Sequence, residues 1–204
     1  MTEIKDTYKT LAKKSEGYFR DKGSKFIAFA YPINSEEEVK EILNELKKQY
    51  YDARHHCYAY RLGVDKDEKY RINEDGEPPG SAAKPIFGQI LSYDLTNILI
   101  VVIRYFGGTK LGIPGLINAY KTVSKETIAN NEIIEKIIYE KCKIEYKYET
   151  INFVMKIIKD ENINIIKQDY INDKIINYIE IRKSKVDEMK NKFTSIFDVF
   201  FYYC

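Results

Sequence analysis

The spacing of hydrophobic and polar positions changes several times along the chain, and each spacing predicts an element. "FIAFAYPI" (26–33) is apolar almost throughout and stops at Pro32 and Asn34, which predicts a strand. "SEEEVKEILNELKKQY" then opens with Ser35 and Glu38, a capping box whose side chains satisfy the free amides of a helix start. Val39, Ile42, Leu43 and Leu46 follow at helical spacing, so one face of that helix is buried. "HCYAYRL" (56–62) alternates and predicts a half-buried strand. The Gly- and Pro-rich "RINEDGEPPGSAAKPI" (71–86) predicts a structured loop running into a short helix around Phe87 to Leu91. "NILIVVIRYF" (97–106) is apolar on both faces, the signature of a central strand. A helix over 114–130 follows, with Leu116, Tyr120, Val123 and Thr127 on one side.

Beyond residue 130 the order is different. Residues 135–148 predict a strand, and Ile151, Val154, Met155 and Ile158 a helix. Two strands within 163–181 meet at Asn172-Asp173, a pair suited to a tight hairpin. Ser184 and Asp187 predict a second capping box, with Val186, Met189, Phe193 and Ile196 facing inward, and 198–203 closes as a strand. That β-α-β-β-α-β order is the ferredoxin-like split βαβ arrangement. The fold class is therefore α/β (α+β) with two domains, 1–131 and 132–204, parted where the helix runs out at "NNE". No internal repeat, low-complexity tract or long linker interrupts them.

Charge narrows the function classes. The 204 residues carry 33 Lys/Arg against 31 Asp/Glu, a net charge of +2, so no global field draws in nucleic acid or anionic lipid. Between residues 95 and 125, however, Arg104, Lys110, Lys121 and Lys125 stand without an acidic residue, and any anion site is expected there. Three widely spaced cysteines, Cys57, Cys142 and Cys204, fit reduced thiols rather than a disulfide framework. The N-terminus lacks an apolar signal core, and the longest apolar run, "ILIVVI" (98–103), is too short to span a bilayer. These features predict a cytoplasmic protein with no membrane association.

Three stretches invite chemistry. Gly107 and Gly108 after a buried strand, followed by Lys110, suit an anion cradle at a helix start. The stretch is not a Walker A loop, because Lys110 precedes Gly112 instead of following the last glycine. The plainer reading is a tight turn that lets the helix pack on the sheet. "RHHC" (54–57) holds both histidines, yet neighbouring strand residues point to opposite faces, so His55, His56 and Cys57 cannot converge on one metal. No CxxC or HxxxH spacing exists, and neither a metal nor a cofactor is expected. Glu74, Asp75 and Glu77 stand close enough to suggest paired carboxylates for acid–base work, although a turn explains the same letters. Ser81 lacks the nucleophile-elbow context of a hydrolase serine.

"DARHHCYAYRLG", "NEDGEPPGSAAKPI" and "IVVIRYFGGTKLGIPGLINAY" resemble, in this order and spacing, the three blocks of the YigZ/IMPACT family. The resemblance covers about residues 52–121. It implies a first domain with the fold of the second domain of ribosomal protein S5. It also implies a ferredoxin-like second domain similar to the last domain of the ribosomal translocase. Eukaryotic relatives regulate translation through protein contacts, and fold analogy suggests RNA or ribosome binding for bacterial members. Arg54, His55, Gly76, Glu77, Pro78, Gly80, Ser81, Ala82, Arg104, Tyr105, Phe106, Gly107, Gly108, Lys110, Leu111 and Gly112 match the family pattern. Ala83, Pro114 and Asn118 depart from it, and the missing arginine at 118 weakens an anion site.

The reading that follows is a non-enzymatic, translation-associated binding protein whose partner is RNA, the ribosome or a translation-related protein. Its expected binding surface combines Arg54, His55, Glu77, Ser81, Arg104, Gly107, Gly108 and Lys110. The alternative is an enzyme acting on a small phosphorylated or nucleotide ligand, with Lys110 and the Gly107–Gly108 amides holding the anion and Glu77 or His55 moving protons.

Overall fold

The computed structural model describes residues 5–204, which form two compact units. One runs from Tyr8 to Lys136, and the other comprises Ile137–Cys204 with the described residues up to Thr7.

In the first unit β1 (Thr7–Leu11) pairs with β7 (Ile133–Ile137) as a separate ribbon. The main sheet has five antiparallel strands: β2 (Ser15–Asp21), β3 (Ser24–Pro32), β6 (Ile98–Tyr105), β4 (His55–Leu62) and β5 (Lys69–Asn73), in that spatial order. Both of its faces are covered. Phe26, Ala28, Ala30, Cys57, Ala59, Ile98, Ile100 and Val102 pack beneath α2 (Ala83–Ser92) and α3 (Gly112–Ala129). Ile27, Phe29, Tyr58, Tyr60, Leu99, Val101 and Ile103 pack on the other face with Val39 and Leu46 of α1 (Glu36–Gln49). Burial on both faces is why β3 and β6 are continuous apolar runs, and the alanines facing α2 and α3 let those helices approach closely.

Local chemistry sets most element ends. Ser35 caps α1 by accepting from the Glu38 amide at 3.2 Å, while the Glu38 carboxylate reaches back to the Asn34 amide, one residue earlier than a capping box places it. β1 and β2 stand in a region where the pattern predicted no element, and β5 occupies the start of the expected 71–86 loop. All three lie in short, heavily charged stretches where periodicity is faint.

The second unit places β8 (Tyr139–Lys147), α4 (Ile151–Asp160), β9 (Asn164–Ile171), β10 (Lys174–Arg182), α5 (Val186–Thr194) and β11 (Phe200–Tyr203) in the ferredoxin-like order β11-β8-β10-β9. The β9–β10 hairpin turns at Asn172, whose φ of 56° lies in the left-handed region that Asn tolerates. Cys142, Ile144, Tyr146, Ile175, Ile179 and Ile181 bury one sheet face beneath α4 and α5. The opposite face, with Lys143, Tyr178 and Tyr202, has no helix over it within the unit.

Two expectations are corrected here. The strand expected over 135–148 is two strands, β7 and β8, broken at Ile138. Its amide donates to the Asp6 carbonyl at 2.7 Å and its carbonyl accepts from the Lys183 amide at 2.9 Å, so the chain passes here from the partner of β1 to the partner of β10. The second capping box does not form. Lys185 stands at the α5 start without a side-chain cap, and Ser184 Oγ donates instead to the Asp6 carboxylate.

Candidate functional site

The site grows from the α2/α3 face of the five-stranded sheet. Alternation along β3, β6 and β4 sends Phe26, Arg104 and His55 to this face, and the strand register sets them in one row, with Phe26 and His55 both opposite Arg104. The loop between β5 and α2 folds over that row and delivers Glu77, while Tyr120 descends from α3.

Glu77 and Arg104 form a buried ion pair, Arg104 Nη1 donating to Glu77 Oε1 at 2.6 Å with side chains 7% and 3% exposed for Arg104 and Glu77. The Tyr120 hydroxyl donates to the same oxygen at 2.8 Å. His55 Nδ1 donates to the Asp75 carbonyl at 2.8 Å, which turns Nε2 toward Glu77 Oε1 at 4.0 Å. The Arg104 guanidinium lies between the rings of Phe26 and Phe106, 5.5 and 5.8 Å from their centroids, a cation–π setting. Such a pair is costly to desolvate and persists because each charge has its partner in place. Beneath it, Cys57 Sγ donates to the Glu74 carbonyl at 3.0 Å, and burial pushes both the Cys57 thiol and the Tyr120 phenol far above their ordinary values. Neither group ionises as a nucleophile or base near neutrality.

The three carboxylates of "NEDGE" do not work as a pair. Glu74 accepts from the Gly80, Ala82 and Ala83 amides at 3.0, 2.8 and 2.8 Å and so caps α2. Asp75 accepts from the His56 amide at 2.7 Å, and only Glu77 turns inward to Arg104. This loop is a scaffold that positions one acid.

Above the pair lies a cleft of about 330 Å³ lined by Glu77, Arg104, Phe106, Lys110, Ile113 and Leu116, among others. The glycines at its edge have different reasons. A Cβ on Gly107 would stand 1.8 Å from the Gly23 backbone, so the β2–β3 turn can pack there only against glycine. Gly108 has φ of +85° with open space around it. The Gly107 amide is used internally, donating to Ser24 Oγ at 3.2 Å. α3 then begins at Gly112 with no side-chain cap and no acidic residue in its first turn.

The expected surface is thus divided by the fold. Glu77, Arg104 and Lys110 come together around the cleft, and His55 lies beside Glu77. Arg104 is buried against a carboxylate and is not a free surface cation. Arg54 is exposed in the residue before β4 and does not line the cleft. Ser81 is fully buried, its hydroxyl donating to the Pro78 carbonyl at 2.7 Å. Sequence reasoning placed Tyr120 in the core and missed its part in the site. The available signal was a phenol on an otherwise apolar helix face, which must find a partner once buried. Among the described residues, no three His, Cys, Asp or Glu side chains gather as metal ligands, and no helix is long and apolar enough to cross a membrane.

The Impact N-terminal domain family model matches residues 22–128, the part of the chain that builds this site. The chain belongs to the IMPACT family. It is 31% identical over 182 residues to IMPACT family member YvyE of Bacillus subtilis, covering 84% of this chain and 82% of that protein. It is 29% identical over 150 residues to IMPACT family member YigZ of Escherichia coli, covering 73% and 74%. A solved structure titled as a hypothetical protein covers 98% of both chains with a TM-score of 0.78 at 24% identity, which shows a shared two-domain α+β fold.

Proposed function

We propose that this protein regulates translation by binding a translation-related partner, without catalysis, through the cleft side of its first unit. Family membership supports the process, since the resemblance implies translational regulators that act through protein contacts. One observation carries the mode of action: the ionisable groups on the floor of the site are tied to neighbours within the protein. Arg104 is neutralised by Glu77, Tyr120 donates to that carboxylate, His55 is anchored on Asp75, and Cys57 is locked as a thiol. An acid–base enzyme needs a group free to gain and lose a proton beside its substrate. Here the polar floor is pre-formed for holding.

RNA and the ribosome are the other partners of the same reading. Among the described residues that line the cleft Lys110 is the one lysine, against the several cations that phosphate-backbone binding normally recruits, so a protein partner or a protein face of the ribosome fits better. The test is co-sedimentation of the full chain with host ribosomes and translation factors, before and after nuclease treatment, with Lys110→Glu beside the parent. Association that survives nuclease and weakens with Lys110→Glu is the expected result. Association that is absent, or indifferent to that substitution, overturns the reading.

A further inference from the structure

The chemistry of the cleft specifies what kind of protein segment it takes. Glu77 Oε1 receives both Arg104 and Tyr120, while Oε2 has no partner among the described residues and is not sealed from solvent. Arg104 spends only Nη1 on Glu77. Its Nε is sealed without a partner, and Nη2 is unpartnered but not sealed. The floor of the cleft therefore holds one carboxylate oxygen and one guanidinium nitrogen left over, on two groups that meet at 2.6 Å through their other atoms. In an extended peptide, the N–H and C=O of one residue point to the same edge, which is the complementary pair.

The walls supply the rest. Phe106 and Ile113 are 48% and 52% exposed, large apolar groups left open to solvent, with Leu116 between them and the sheet. Lys110 and the uncapped start of α3 give the far rim its positive character, and no acidic residue occurs from Leu95 to Lys125 to oppose it. Building on the protein-partner reading above, we infer that the cleft clamps one residue of an extended acidic–apolar peptide segment. Its backbone N–H donates to Glu77 Oε2, and its carbonyl accepts from Arg104 Nη2. A bulky apolar side chain sits against Phe106, Ile113 and Leu116, and a neighbouring carboxylate meets Lys110.

The probe is a capped tetrapeptide of aspartate, leucine, phenylalanine and glutamate, titrated into the isotope-labelled full chain and followed by amide NMR. A lysine-for-acid version of the peptide, a five-nucleotide oligouridylate and inorganic phosphate serve as separate arms. The acidic peptide should shift amides of Phe106, Lys110 and Ile113, with affinity reduced about tenfold by Lys110→Glu and by Ile113→Ser, both exposed positions that leave the fold intact. Equal binding of the lysine version, stronger binding of the oligouridylate, the same shifts from phosphate alone, or no shifts overturns the inference. The ribosome co-sedimentation experiment separates the two levels. If the peptide fails while nuclease-resistant association still depends on Lys110, the clamp is wrong and the protein-partner reading stands. If both fail, the reading falls with it.

Discussion

The two larger sheets of this protein solve opposite problems. The five-stranded sheet is roofed by helices on both faces, so any polar side chain it carries must find its partners inside the protein. Within its own unit the four-stranded sheet is covered by α4 and α5 on one face only, and Lys143, Glu145 and Lys174 on the other form partly exposed pairs. An arginine–carboxylate or lysine–carboxylate pair therefore means different things in the two units. In the first it is a fixed element of a site; in the second it is surface chemistry.

Breaking the buried pair should produce the largest effect. Glu77→Ala leaves the buried Arg104 guanidinium without its carboxylate and is expected to destabilise the first unit by roughly 3–5 kcal/mol in urea unfolding, whereas Glu145→Ala on the open sheet should do far less. Comparable losses for the two would erase the contrast. Gly107→Ala comes next, because its methyl must displace the Gly23 backbone; a loss of about 1–3 kcal/mol is expected. Glu74→Ala removes the acceptor shared by three amides at the α2 start, for about 1–2 kcal/mol, and should speed hydrogen exchange at Ala82 and Ala83 before it affects α3. On the open sheet, Lys143→Ala deletes a cation 4.3 Å from the Tyr202 ring, where about 0.5 kcal/mol or less is expected from the same unfolding measurement.

The smallest effect concerns pH. Arg182 and Ser184 hold the Asp6 carboxyl down at about 2. Its folded value lies below the unfolded one, so its contribution is complete above the ordinary carboxylate range and fades as pH falls through about 2. An NMR titration of the Asp6 carboxyl should show this midpoint in the parent and a higher one in Arg182→Gln, which keeps the Ser184 hydrogen bond.

Much of the architecture was legible before any coordinates. Runs apolar at every position announced β3 and β6, Ser35 announced α1, and the β-α-β-β-α-β order announced the second unit. Alternation also separated His55 from His56 correctly, one in line with Cys57 and Ala59 on the α2/α3 face and the other with Tyr58 and Tyr60 on the α1 face. What stayed illegible was partner choice. Nothing local says that Arg104 takes the carboxylate 27 residues before it, or that Tyr120 meets the same oxygen from 43 residues away.

The division has a physical cause. Strand and helix periods, caps and turn residues act over a few positions, so composition and spacing determined the elements, their buried faces and the family to which the chain belongs. Which of three neighbouring acids turns inward, and whether an arginine ends as a surface cation or a buried partner, depends on how distant loops close over the sheet. That closure is settled by packing and desolvation summed across the whole unit, and only the tertiary structure carries the sum.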